Sequence, residues 1–204
     1  MCGVTDVGWS RDLFYLDLSE PFEGSLPSLV DIPSQLPVDG AFVTASTGGS
    51  DNSTIFIFGG LLTYVVNGSA DNSDLVFTFS TSQNIWETPS ISGTSPTPTP
   101  RVAVKSVIDK YGNMYLFGGD GGGGVVTYSD IYILNTIDLT WSYGGSVNTT
   151  LRRTLATGVL LNSGEILYIG GYTDGFKAVD INTVSRQILQ HTVMIDIHKQ
   201  TNIL

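Results

Sequence analysis

A chain of 204 residues that is 41% hydrophobic and only 14% charged has the composition of a globular protein, which excludes disorder along its whole length. Its formal charge is −10 and its nine Lys and Arg are scattered, so a nucleic acid would meet repulsion without a basic patch to release its counterions. The longest uncharged hydrophobic stretch, residues 55–66, is too short for a bilayer and is interrupted by Gly59 and Gly60, so no membrane span is encoded.

Twenty-four glycines beside nine Tyr and nine Phe predict an all-β fold of short strands and tight turns, since glycine supplies φ > 0 and aromatics suit a pleated surface. The first residues, MCGVTDVGWSRD, lack the basic start and apolar centre of a signal peptide, so either the chain is cytosolic or its beginning is missing. Cys2 stands alone and forms no intrachain bridge. DLFYLDLS (12–19) reads as a strand that opens with an Asp. Further on, IFIFGG (55–60), MYLFGG (114–119) and ILYIGG (166–171) are apolar strands that each end in two glycines, and the first glycines lie 59 and 52 residues apart. A second element follows the first two of these: DLVFTFSTSQNIW ends at Trp86 and DIYILNTIDLTW ends at Trp141. The last residues, IDIHKQTNIL (195–204), overlay on FTFSTSQNIW (77–86) with Leu204 in place of the tryptophan.

Repetition at roughly 50 residues is the decisive signal. Each unit reads as four strands: strand a, an apolar run such as 102–107 or 155–161; strand b with the glycine pair; strand c, which begins near an Asp (Asp74, Asp130); and strand d with the Trp. The b strands are apolar throughout, which predicts burial on both faces between stacked sheets.

The glycine pair, the aromatic third strand and the following Trp resemble kelch repeats, as in the central propeller of galactose-oxidase-like proteins, and the resemblance covers nearly the whole chain. The low charge, the Asn-x-Ser/Thr sequons at Asn52, Asn67 and Asn148 and the Thr/Pro-rich connector are similar in particular to fungal kelch proteins, many of them secreted or membrane-anchored. The resemblance implies an all-β, partial kelch-type β-propeller of about three and a half four-stranded antiparallel blades, in one domain. A half blade (1–35, strands c and d) precedes a blade at 36–95 and another at 96–146, and an irregular, shortened blade occupies 147–204. A partial ring of this kind exposes strand edges, which predicts a fragment or self-association that completes the propeller.

The resemblance also raises copper oxidase chemistry, which needs histidine and tyrosine ligands and a cysteine cross-linked to tyrosine. Those parts are not assembled in the sequence: Cys2 lies outside any complete unit, and His191 and His198 are an odd spacing apart, on opposite faces of an extended strand. No GxSxG turn accompanies either histidine, so a serine nucleophile is not indicated. DGGGG (120–124) lacks the Lys and Ser/Thr of a phosphate loop and reads as a turn; SPTPTP (95–100) reads as a linker between units. No catalytic residue, cofactor or metal is expected.

What remains is recognition by loops. In a four-stranded meander the b-to-c and d-to-a connections emerge on one face, and variable loops on a rigid scaffold are the usual setting for binding. Tyr64, Tyr128 and Tyr172 offer aromatic surfaces for a protein interface or a sugar ring, and Arg101, Arg152 and Arg153 stand before strand a, where kelch propellers that bind acidic peptides often place arginines. The same arginines have a structural reading as partners of neighbouring acids. The sequence therefore points to a non-catalytic protein-interaction scaffold, with an extracellular carbohydrate-binding or oxidase-like domain without a complete copper site as the alternative. Asn52, Asn67 and Asn148 are glycosylation sequons in polar loops. They hint at secretion but do not assign a compartment.

Overall fold

The computed structural model describes residues 4–5, 8–9, 11–19, 29–37, 39–66, 69–71, 75–93, 96–121, 126–146 and 152–179. Their architecture is all-β. β1 (Val4–Thr5) and β2 (Gly8–Trp9) form a short ladder, and β3 (Leu13–Leu16) pairs antiparallel with β4 (Leu29–Ile32). β5 (Asp39–Ala41) leads into a four-stranded antiparallel meander. Its members are β6 (Thr44–Gly48), β7 (Thr54–Phe58), β10 (Val76–Ser80) and β11 (Ile85–Glu87), while β8 (Leu61–Val66), which follows β7, pairs with both β5 and β9 (Ser69–Asp71) as the middle strand of a three-stranded sheet. β12 (Ser92–Gly93) then runs parallel to the outer strand of the next meander, β13 (Lys105–Ile108), β14 (Asn113–Phe117), β15 (Asp130–Asn135) and β16 (Thr140–Ser146). β17 (Thr157–Leu160) and β18 (Ile166–Ile169) open a further sheet. β19 (Tyr172–Thr173), a 3-10 turn at Asp174–Phe176 and β20 (Lys177–Ala178) follow. No helix among the described residues is long and apolar enough to cross a membrane.

The sheets stack because their second and third strands are apolar on both faces. Alternate residues of one strand serve two different cores, as the two-residue period of a strand requires. Phe56 and Phe58 of β7 meet Met114, Leu116, Tyr132, Leu134 and Trp141 of the next sheet. From the opposite face of β14, Tyr115 and Phe117 join Ile131, Ile133 and Ile166 against β18. Ile57 points the other way, to Phe77, Leu36 and Trp86. Trp141 closes the first of these interfaces: its ring stands edge-on to Phe58 with centroids 5.8 Å apart. Phe117 and Tyr168 bridge the second at 4.7 Å. Trp86 packs on Phe79 at 4.9 Å and donates its indole N–H to Ser34 O. Each aromatic pair of this kind adds about 0.5–1.5 kcal/mol beyond the area it buries.

The first strands lie side by side along the inner edge and are joined by small polar groups. Thr44 and Ser106 share a buried hydroxyl contact of 2.7 Å, and the Ser106 backbone N–H donates to Thr44 Oγ1. At the opposite ends of the strands, Thr136 Oγ1 donates to Gly112 O and accepts from Gly49 N–H, tying one sheet's turn to the next.

Two details depart from the sequence reading. The inner strands begin later than the apolar runs at 102–107 and 155–161: β13 starts at Lys105 and β17 at Thr157. The cause is a left-handed residue in each run, Ala103 and Leu155, which breaks the extended backbone. The b-to-c connection at 61–73 is not simply a loop, since β8 and β9 extend the end of the sheet as a hairpin. The glycine pairs earn their recurrence at the same level. Gly59 and Gly118 hold φ of 64° and 69°, and a methyl group on either would collide with the carbonyl oxygen of Arg101 or Arg153 in the neighbouring sheet.

Candidate binding face

The lead-in to each inner strand repeats with the same geometry. Ala41, Val102 and Thr154 each pair with the residue that follows a glycine pair, respectively Leu61, Asp120 and Tyr172. The next residue, Phe42, Ala103 or Leu155, holds φ of 58°, 54° or 56°. The backbone N–H of Ala103 donates to Phe42 O and that of Leu155 donates to Ala103 O, at 3.0 and 3.1 Å, so the three residues form a row across three neighbouring lead-ins. A bulky side chain on left-handed backbone costs roughly 1–2 kcal/mol. Even so, Phe42 and Leu155 leave 53% and 48% of their surface to solvent. Sequence reasoning missed this row. Glycine usually marks such backbone, and none of the three residues is glycine; the available signal was their fixed spacing after Gly40, Arg101 and Arg153.

Arg101, a predicted binding residue, lies 3% exposed beneath this face. Its guanidinium grips both carboxylate oxygens of Asp130, the first residue of β15, and donates to Gly118 O, Thr99 O and Thr99 Oγ1. The rings of Tyr128 and Tyr132 flank it at 4.0 and 5.2 Å. Burial, with Asp130 beside it, pushes the Tyr132 hydroxyl above its ordinary pKa. Two residues singled out in the sequence, Arg101 and Tyr128, thus meet each other, and the strand-opening Asp130 is the anchor of the arginine.

Arg152 lies nearer the surface, 34% exposed, and bonds Asp174 at 2.8 Å. The other oxygen of Asp174 accepts the backbone N–H of Thr127 at 3.0 Å, so one carboxylate joins the b-to-c connections of two neighbouring sheets. That backbone bond, with Arg152 adding to it, holds the Asp174 carboxyl below its ordinary pKa. Asp174 was not foreseen, because neither earlier b-to-c connection carries an acid at its place, the third residue after the glycine pair. Arg153 donates to Arg152 O, and partial burial depresses its guanidinium pKa. Tyr172 is exposed at the same end, 37%, with its backbone bonded to Thr154. Tyr64 stands on β8 opposite Asp71 in the register.

Asn52 sits exposed on left-handed backbone at the turn between β6 and β7. Asn67, Asn148, Cys2, Asp74, His191 and His198 lie outside the described residues, as do most of DGGGG and residues 180–204. Among the described residues no group of three His, Cys, Asp or Glu is placed to hold a metal ion.

Among solved structures, the chain is similar to that of YjhT, with a TM-score of 0.58 and 14% identity over 87% of this chain and 74% of that one. It also resembles a fungal alcohol oxidase of the AA5 family in complex with copper, with a TM-score of 0.49 and 16% identity; the match covers 81% of this chain but 43% of the oxidase. No curated protein sequence matches the chain. The family model of the KLHDC2/KLHL20/DRC7 Kelch-repeats domain matches residues 3–200. With its meanders stacked through Trp141 and its glycine pairs under the neighbouring lead-ins, the chain belongs to the kelch-repeat family.

Proposed function

We propose that the chain is a non-catalytic binding scaffold whose contacts with a partner protein are made on the face where the b-to-c and d-to-a connections emerge. The observation that supports this reading is the hydrogen-bonded row Phe42, Ala103, Leu155, which presents two large apolar side chains to solvent on backbone that disfavours them. Arg152 and Tyr172 border the row and supply the cation and the aromatic ring that interfaces favour. Arg101 serves this face from beneath, by fixing the lead-in.

Selection of a displayed random-peptide library on the chain tests the reading. Peptides should be enriched over a scaffold control, and Leu155→Ser or Arg152→Ala should weaken them at least tenfold, about 1.4 kcal/mol, with melting unchanged. Peptides that bind both variants as well as the parent chain would refute it. Saturable binding of a simple sugar on a glycan array would instead favour the carbohydrate reading, for which Tyr172 is the exposed ring. Addition of glycans at Asn52 during secretory expression would support the extracellular setting.

A further inference from the structure

The three residues of the lead-in row share one backbone geometry but not one size. Phe42, Ala103 and Leu155 hold nearly the same φ, and each is joined to the next by one backbone hydrogen bond. Backbones bonded in this way run about 4.8 Å apart, which sets Phe42 and Leu155 roughly 10 Å from each other with Ala103 between them. The two large side chains are half exposed, whereas Ala103 is partly buried and carries a single methyl group. The row is therefore apolar throughout but interrupted at its centre. Phe42 and Leu155 form the walls of a notch one side chain wide, and Ala103 is its floor.

The floor is fixed and offers nothing polar. Val102 and Val104 on either side of Ala103 are buried, and Val102 exchanges both of its backbone hydrogen bonds with Asp120. The carbonyl of Phe42, the N–H and carbonyl of Ala103 and the N–H of Leu155 are already paired with one another along the row. A group that enters the notch thus gains by burying apolar area, and a polar group would give up its water without a partner in return.

We propose that Ala103 sets the specificity of the binding face by admitting one large apolar side chain of the partner protein, Leu, Met or Phe, between Phe42 and Leu155. The inference rests on the loop face being the surface that binds. A smaller side chain would leave a void above the floor, and one missing methylene in an apolar pocket changes recognition by about tenfold or more. Leucine itself suits the backbone at position 103, since Leu155 occupies the equivalent place in the next lead-in. There it would fill the notch from within.

The displayed peptide library, selected on the parent chain, is selected again on Ala103→Leu. On the parent, the enriched peptides should share one position held by Leu, Met or Phe, and its change to Ala should weaken binding about tenfold or more. Those peptides should bind Ala103→Leu about tenfold more weakly or worse, and the second selection should place Gly, Ala or Ser at the same position. Ala103→Met, whose unbranched side chain adapts more readily, should give the same exchange and serves if the leucine variant does not fold. A loss of stability alone would weaken every peptide and would not exchange large residues for small ones. Peptides that bind Ala103→Leu as well as they bind the parent, or selections that keep the same large residue on both, would overturn the notch and leave the binding face standing. Enrichment of no peptide on any of these chains would overturn the binding-scaffold reading, and this proposal with it.

Discussion

Ala103 donates its amide hydrogen to the carbonyl oxygen of Phe42 at 3.0 Å, although both residues sit at φ above +50°, in backbone that L side chains avoid. The bond joins two sheets at the point where each inner strand begins. It makes the strain at Ala103 part of how the lead-ins are held in line.

Ala103→Gly removes that strain at the loss of one partly buried methyl group, and is expected to leave stability unchanged or raise it by up to about 1 kcal/mol. Ala103→Val adds a β-branched side chain to the same backbone and should cost about 1–3 kcal/mol. Urea denaturation of the two variants checks the sign. A stabilising valine would show that the left-handed geometry is not the folded one.

Gly118 and Gly145 both hold positive φ, but only Gly118 lies against a neighbouring backbone, the carbonyl of Arg153. Gly118→Ala is expected to cost about 3 kcal/mol or more, because both the dihedral and the collision must be relieved by moving two sheets apart. Gly145→Ala, with nothing within 4 Å, should cost about 1–2 kcal/mol. Melting temperatures measured side by side separate close approach from dihedral strain.

The arginines divide by burial. Arg101→Ala strands Asp130 in a site closed by Tyr128 and Tyr132, and a broken buried pair costs about 3–5 kcal/mol. Arg152→Ala removes a half-exposed pair worth less than about 1 kcal/mol, so its effect should appear in binding and not in unfolding. Chemical denaturation of both variants, beside the peptide selection, gives the contrast.

Asp174 titrates lower in the folded chain than in the unfolded one, whose Asp pKa is about 3.9. A depressed carboxyl contributes stability that is complete above the unfolded value and disappears as pH falls through the folded value. Protection of the Thr127 amide from hydrogen exchange is therefore expected to fall as the solution is taken below pH about 4. Asp174→Asn should lack that step, and a step that survives the substitution would assign it to another group.

The repeat made the stacking legible before any coordinate. Gly59 and Gly118 recur because each lies against the carbonyl of a neighbouring lead-in, and Trp86 and Trp141 because each packs among the aromatics of its interface; Gly170 repeats the positive φ, with nothing within 4 Å of it. The apolar b strands announced two buried faces, and Phe56 and Ile57 do point to different cores. The left-handed row was not legible, since Phe42 and Leu155 carry no local mark of positive φ and owe it to hydrogen bonds from neighbouring sheets. Arg101 could be located but not characterised. Its bonds to Asp130 span twenty-nine residues, and only the register of β15 against β14 brings them together. Asp174 was hidden for a different reason: the places that match it in the two earlier b-to-c connections hold Thr63 and Gly122, so no repeat marks the acid.

Face-to-face stacking of neighbouring sheets underlies the proposed binding face and the notch within it, and nuclear Overhauser contacts between the Phe58 ring and the Trp141 indole test it most directly. Cross-peaks are expected between these rings, centred 5.8 Å apart, and between Phe117 and Tyr168 at 4.7 Å. Their absence from a folded chain that still shows the cross-strand contacts of β14 with β15 would contradict the stacking.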